Sequence, residues 1–297
     1  MKETEKILKD GPKWVSPLFI PTMISNIAAG NIAIRHNACG PCLPVVTACA
    51  TSTHAIGEAY RAIRHGYVDA VITGGTEASI IHLGVAGFAN AKALSRSEDP
   101  QYASLPFSAD RGGFVMSEGA AILVLEEYEH AVARGAQIIA EVCGYGNTCD
   151  AHHVTAPRPD GKTKSAAIIM ALDEAGYTSE DTLYINAHGT GTALNAACET
   201  EAFKLALGEA AYKAHISSTK GSTGHMLGAA GAAEAIATVL ALREGIVPPT
   251  VNLTNPDPAL DLNYTPCKPV KADLTIGISD SLGCGGHNGA VAFRRHK

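Results

Sequence analysis

Apolar residues recur along this chain at two spacings, and the spacing switches from segment to segment. Short runs rich in β-branched residues alternate with longer stretches whose apolar positions follow a helical period. The first series predicts a strand at 45–48, a helix at 51–65 and a strand at 69–73. A long region containing Gly and Ser then runs to Gly113, with a further strand at 120–125. The helix rests on Ala55, Ile56, Ala59 and Ile63, which share one face, with Gly66 placed to cap its C-terminus. After Gly144 the alternation resumes. A polar loop with Pro157, Pro159 and Gly161 leads to a helix at 164–176, a strand at 183–187 and helices at 196–207 and 229–244. The Pro-rich loop 247–258 follows, and apolar segments at 274–278 and 290–293 close the chain as a hairpin. Such alternation predicts an α/β fold, and a boundary near residue 145 divides it into 1–145 and 146–297. There is no fixed-period repeat and no low-complexity segment.

Composition narrows the class. Hydrophobic residues make up 46% and charged residues 18% of the 297, which excludes disorder as the main state. The 23 Lys and Arg against 29 Asp and Glu leave a net charge of −6, so no global basic field exists to hold nucleic acid or an anionic membrane. The N-terminal residues are charged and lack the apolar region of a signal peptide, and the longest apolar stretch, ending in Ala-Thr-Val-Leu-Ala-Leu, is short and carries Glu234. A cytoplasmic location is expected. Eight Cys at irregular spacing look like reduced thiols rather than a disulfide framework. Cys39-Gly40-Pro41-Cys42 has the spacing of a redox motif, but such a motif opens a helix, whereas Leu43-Pro44-Val45-Val46-Thr47 reads as strand.

Three segments carry candidate chemistry. Cys49 lies at the step from a buried strand into the helix near Thr51, where unpaired N–H groups and the helix dipole would favour its thiolate. His188 and His225 sit in small-residue loops after strand-like segments, where Gly lets backbone and substrate approach closely. Imidazole there can donate to a developing oxyanion or move a proton. The histidines have no zinc-ligand spacing, so no metal site is expected. Gly283-Cys284-Gly285-Gly286 is followed by a strand rather than a helix, which argues against a dinucleotide site, and no Ser lies in a G-x-S-x-G setting.

Four motifs occur in order: Ala-Cys before a helix, Asn-Ala-His-Gly-Thr-Gly-Thr, Ser-Ser-Thr-Lys-x-x-x-Gly-His-x-Leu-Gly-Ala-Ala-Gly, and a C-terminal Gly-x-Gly-Gly-x-Asn. Together they closely resemble the elongating β-ketoacyl-[acyl carrier protein] synthases of type II fatty-acid synthesis, from about Gly11 to Phe293. The resemblance implies a thiolase-like fold, two similar α/β halves with stacked mixed sheets, and a homodimer. It also implies decarboxylative Claisen condensation, with acyl carrier protein as partner and its phosphopantetheine arm as the only cofactor. By the same resemblance Cys49 takes the acyl group, His188 and His225 bond the malonyl thioester oxygen, and the backbone N–H groups of Cys49 and Cys284 form the oxyanion hole. Lys220 matches the active-site lysine, with Glu199 as its expected ion-pair partner. Thr190 and Thr192 match hydroxyls that hold the arm, Phe88 an acyl-pocket wall, Asp150, His153 and Thr155 a mobile loop beside the gate, and Lys13 and Lys92 basic docking positions.

The chain also departs from the family pattern. Leu282 and Cys284 stand where the C-terminal loop usually carries Phe on both sides of its first Gly, so the gating ring is missing. Asn195-Ala196-Ala197-Cys198-Glu199 lacks the local charge pair usual after the histidine. Family members carry roughly a hundred further residues before the segment matching Gly11. The N-terminal half is therefore expected to be incomplete, leaving sheet surface for another chain or a separate N-terminal segment to cover. The rival readings are a polyketide-type ketosynthase and a non-catalytic or truncated partner subunit. Cys49 argues against the second, since chain-length partners lack the nucleophile.

Overall fold

Strands buried on both faces organise the chain. In the computed structural model, which describes residues 2–296, the strands β1 (Ala70–Glu77) and β2 (Gly119–Glu126) pair antiparallel as a ribbon. A larger mixed sheet is built from β3 (Ala140–Cys149), β4 (Leu183–Asn186), β5 (His215–Ser217), β8 (Ile276–Gly283) and β9 (His287–Arg295). Its order is β3-β9-β8-β4-β5; β8, β4 and β5 run parallel, and β9 turns back antiparallel between β8 and β3. The short strands β6 (Ile246–Val247) and β7 (Val270–Lys271) pair separately.

Helices cover both faces of the large sheet. On one side α4 (Thr51–Arg64) and α10 (Ala230–Glu244) lie between it and the β1–β2 ribbon, burying Ile56, Tyr145, Tyr184, Leu242, Val291 and Phe293. On the other, α7 (Lys162–Glu174) and α8 (Ala193–Leu207) bury Ile168, Leu172, Ile185, Phe203, Ile216 and Ile278. The alternation is visible in β4, where Tyr184 faces one core and Ile185 the other. Each fully buried aliphatic or aromatic side chain contributes roughly 1.5–3 kcal/mol. The remaining helices α5 (His82–Asn90), α6 (Tyr128–Ala133) and α9 (Lys220–Thr223) are short. The ribbon's outer face leaves Ile72, Ile122 and Val124 exposed.

Contacts divide the chain into residues 1–45 and 46–297. The first unit holds α1 (Lys2–Asp10), α2 (Phe19–Met23) and α3 (Ile27–His36), and none of its described residues is fully buried. Cys39 and Cys42 follow as free, exposed thiols outside any helix.

Most predicted elements appear within a few residues of their expected limits. The strand expected at 45–48 does not form. A β-branched run becomes a strand only where a neighbour offers a ladder, and here the backbone bends at Thr47 (φ −138°, ψ 42°) and Ala48 (φ 51°) into a one-turn 3-10 helix, Ala48–Ala50. The edge strand β3 was not legible either, because its Cys-Gly-Tyr-Gly core lacks a period-two apolar pattern. Gly146 earns that core its place: a Cβ there would strike the Ala167 carbonyl of α7. No described helix is long and apolar enough to cross a membrane.

Candidate active site

Cys49 sits in the 3-10 turn that leads directly into α4. The preceding Ala48 has φ 51°, the left-handed region that a residue with a Cβ enters only when its surroundings compel it. Those surroundings are a ring of hydrogen bonds. The Thr47 amide donates to Thr51 Oγ1 (2.9 Å), and His54 links Thr47 Oγ1 (2.8 Å) to the Asn288 carbonyl (3.1 Å). One turn on, Ser52 accepts the Ala232 amide of α10 at 2.8 Å and Thr53 meets Ser281 of β8 at 2.7 Å. The start of α4 is thereby fastened to both α10 and the end of β8.

Gly283 ends β8 against this turn. A Cβ at Gly283 would lie 2.5 Å from the Thr47 carbonyl oxygen and 3.4 Å from the Cys49 nitrogen, so only glycine permits the approach. The approach brings the Cys284 amide to the Cys49 sulfur, where it favours the thiolate, as does the Lys220 charge. Burial outweighs both. Together with the Cys284 thiol and Glu77 it pushes the Cys49 pKa up to about 12. Cys49 is therefore a neutral thiol rather than the thiolate expected from its place before α4, because desolvation of the charged form exceeds what Lys220 and the Cys284 amide return.

His188 comes from the loop after β4 and His225 from the segment between α9 and α10. Their rings stand edge to face with centroids 5.2 Å apart, and both are buried. The His225 backbone is held by Val115 and Ser117 (2.7 and 3.0 Å), and the flank of its ring is packed by Phe114, which in turn meets Phe88. Burial first, then the Lys220 charge, drives both histidines well below their ordinary pKa, so both are neutral. Lys220, itself buried, places Nζ 3.4 Å from His188 Nδ1. An ammonium only donates, so Nδ1 accepts and the ring proton resides on Nε2, free to donate.

The expected Lys220–Glu199 pair is not present. Lys220 pairs with Glu234 of α10, while Glu199 accepts the amides of His188 (2.8 Å) and Gly189 (2.7 Å) and lies 3.3 Å from Lys164. The physical reason is rotation of α10, which turns Glu234 inward opposite Lys220 and leaves Glu199 under the His188 turn. Burial raises the Glu234 pKa despite Lys220. Glu234 was detectable as the one carboxylate in an apolar run, but its partner was not.

The other expected residues fall in three places. Thr190 and Thr192 are bonded to each other (3.0 Å), and Asn195 accepts the Thr190 amide at 3.0 Å, ordering the loop that lacks the usual charge pair. Asp150 is buried and fully engaged: it accepts from the Arg158 amide (2.8 Å), Asn288 Nδ2 (2.8 Å) and Thr163, while its own amide donates to Gly286. His153 Nδ1 accepts the Thr155 and Ala156 amides at 3.1 Å each, and the Gly285 amide reaches the Val154 carbonyl at 2.7 Å, so this loop abuts the Cys284 turn. Leu282 is buried and Cys284 exposed. Lys92 is exposed after α5, and Lys13 is exposed in the first unit. Sequence reasoning missed Phe114, His54, Asn195, Lys164 and Asp280.

Comparison with known proteins adds an independent line. Residues 1–131 match the family "Beta-ketoacyl synthase, N-terminal domain" and residues 139–254 match "Beta-ketoacyl synthase, C-terminal domain". The chain is 51% identical to a 3-oxoacyl-[acyl-carrier-protein] synthase 2 of Synechocystis sp. over 299 residues, covering 100% of this chain and 72% of that protein. It is 47% identical to the protein of the same name in Staphylococcus aureus over 291 residues, covering 98% and 70%. Among solved structures, a β-ketoacyl synthase from Burkholderia phymatum aligns with TM-score 0.93 at 36% identity, covering 100% of this chain and 72% of that one. A type II PKS acyl-carrier protein in complex with its ketosynthase aligns with TM-score 0.93 at 36% identity, covering 96% and 71%.

Proposed function

The chain belongs to the β-ketoacyl synthase family, and we propose that it extends acyl chains by condensing an acyl thioester with malonyl-[acyl carrier protein] in fatty-acid elongation. The observation that carries this reading is the buried, neutral His188–His225 pair, with Lys220 set against His188. Two neutral imidazoles packed edge to face can offer N–H groups to negative charge that develops on a thioester oxygen.

In the first half-reaction the Cys49 sulfur attacks the acyl thioester. A new thioester forms on Cys49 and, because Cys49 is neutral at rest, its proton passes to the carrier sulfur, which departs as the thiol. The Cys49 and Cys284 amides bind the carbonyl oxygen as it becomes an oxyanion. In the second, malonyl-carrier protein loses CO₂, and His188 and His225 donate to the thioester oxygen of the resulting enolate. The enolate carbon attacks the acyl carbon, and the Cys49 sulfur leaves as thiolate and takes a proton from solvent. Lys220 fixes the His188 tautomer and Glu234 balances its charge. Thr190 and Thr192 hold the phosphopantetheine arm of the carrier protein, which supplies the only prosthetic group. Phe88 bounds the acyl pocket through Phe114, and the Asp150–Thr155 loop, with Leu282 and Cys284, borders its entrance. Lys92, and separately Lys13 of the first unit, are the basic positions offered to the acidic carrier protein.

The same reading divides the chain near residue 145 into thiolase-like halves and makes it a homodimer, which would cover Ile72, Ile122 and Val124 on the ribbon. A fatty-acid substrate is favoured over a polyketide because the relatives named as 3-oxoacyl synthases are 47–51% identical, against 36% for the ketosynthase of the polyketide complex. Single-turnover labelling with radioactive acyl-carrier protein tests the proposal. The label should appear on Cys49 and pass to a 3-ketoacyl product when malonyl-carrier protein is added; label on Cys39 or Cys42 with Cys49 unmodified would overturn it.

A further inference from the structure

Apart from the Lys220–Glu234 pair, the protein buries a second set of charges. Lys164 of α7, Glu199 of α8 and Asp280 of β8 are 2%, 0% and 1% exposed, and three elements deliver them to one point. The Lys164 ammonium is ion-paired to Asp280 and lies 3.3 Å from Glu199 Oε1. Glu199 uses one oxygen on the His188 amide and the other on the Gly189 amide. The turn that carries His188 therefore rests on a carboxylate wholly removed from water, and such a group stays ionised only when paired and hydrogen-bonded.

Two carboxylates share one ammonium, and their surroundings differ. Asp280 Oδ1 has no hydrogen-bond partner among the described residues, and burial raises the Asp280 pKa against the pull of Lys164. Glu199 has two amide donors, one on each oxygen. Burial opposes the charge on Lys164, yet Asp280 and Glu199 hold its pKa above the ordinary value. The titratable groups facing Glu199 are Lys164, Asp280, Cys198 on its own helix and Tyr264, with His188 above it and the Lys220–Glu234 pair beyond. Lys164 is the nearest cation in that set. It also supplies, from another helix, the counter-charge absent from the 195–199 segment.

We propose that Lys164 is a positioning residue for condensation: its ammonium anchors the Glu199 carboxylate, and Glu199 holds the His188–Gly189 turn so that His188 Nε2–H meets the malonyl thioester oxygen. The inference rests on the condensing-enzyme reading for its last step, while the link from Lys164 to the turn can be measured without turnover.

The test compares the full-length wild type with Lys164→Met and with the double variant Lys164→Met/Asp280→Asn, which leaves no unpaired Asp280 behind. Acyl loading of Cys49, malonyl decarboxylation, condensation and thermal melting are followed from about pH 6 to about pH 8.5, with the NMR amide shifts of His188 and Gly189. In the double variant, loading should stay within about twofold, while decarboxylation and condensation fall about tenfold or more. The Glu199 carboxylate loses the cation that fixes its position, so the turn it holds can shift. The two amide shifts should move in the variant relative to the wild type, whether or not either protein turns over. Unmoved shifts in the double variant, or condensation that tracks the wild type at every pH, would overturn the proposal and leave Lys164 as a neutraliser of Asp280. Loss of loading and of the cooperative melt together with condensation would also overturn it, assigning Lys164 to the fold alone. A folded wild type that never loads Cys49 would instead sink the condensing-enzyme reading, and the amide shifts would still decide the role of Lys164.

Discussion

Alkylation of Cys49 as a function of pH measures the balance on which acyl transfer turns. The Lys220 charge and the Cys284 amide favour the thiolate; burial, the Cys284 thiol and Glu77 favour the thiol, and the result is a pKa of about 12. At pH 8 such a group is ionised to about one part in 10⁴, whereas a free thiol with a pKa of about 8.5 is ionised to about a quarter. The ionised fraction of Cys49 should then rise about tenfold per pH unit up to about pH 11. The assay is a short pulse of iodoacetamide at a series of pH values, with a free small thiol in the same tube as reference, followed by digestion and mass spectrometry of the peptide carrying Cys49. The expected logarithmic rate climbs with unit slope and shows no plateau below pH 10, while the reference levels off above about pH 9. Lys220→Met removes a charge that lowers the pKa, so it should shift the profile downward at every pH without introducing a plateau. A plateau below pH 8 would refute the reasoning, since it would mean that the terminus of α4 and the Cys284 amide outweigh desolvation and that the enzyme rests as a thiolate.

The two histidines act in the enolate step, so His225→Ala and His188→Ala should each lower malonyl decarboxylation and condensation by about 10²–10³-fold while acyl loading of Cys49 persists; condensation at the wild-type rate in either variant contradicts the assignment. Both rings are neutral in the fold and would be protonated in the unfolded chain below about pH 6.5, so the stability they permit is present above that pH and lost as pH falls through it. Each should contribute a slope of up to about 1.4 kcal/mol per pH unit below about pH 6, visible as a falling melting temperature and diminished in a His188→Gln/His225→Gln variant. Cys284→Phe should narrow the acyl-length profile by about 1–3 kcal/mol of discrimination, since it restores a ring beside the nucleophile without altering the backbone amide; equal profiles measured by competition would place the gate elsewhere, with the Asp150–Thr155 loop next to be tested.

Short-range order was written in the residues themselves. Helix α4 follows from Ala55, Ile56, Ala59 and Ile63 on one face, the closing hairpin from its two apolar segments, and Cys49, His188 and His225 stand out because their small-residue flanks are contiguous in the chain. A turn or a helix face is encoded by neighbours a few positions apart, and a single sequence displays those neighbours. The ionic partners were not legible. Glu199 and Glu234 are both lone carboxylates on helices, and which one meets Lys220 depends on how α8 and α10 are rotated against the sheet. Lys164 and Asp280 are 116 positions apart and meet only because α7, which carries Lys164, packs on the sheet whose strand β8 carries Asp280. The protonation state of Cys49 was likewise a tertiary outcome. The sequence showed the helix terminus that lowers its pKa, but the burial that raises it further comes from chain segments folded over the thiol, and desolvation has no counterpart in local pattern.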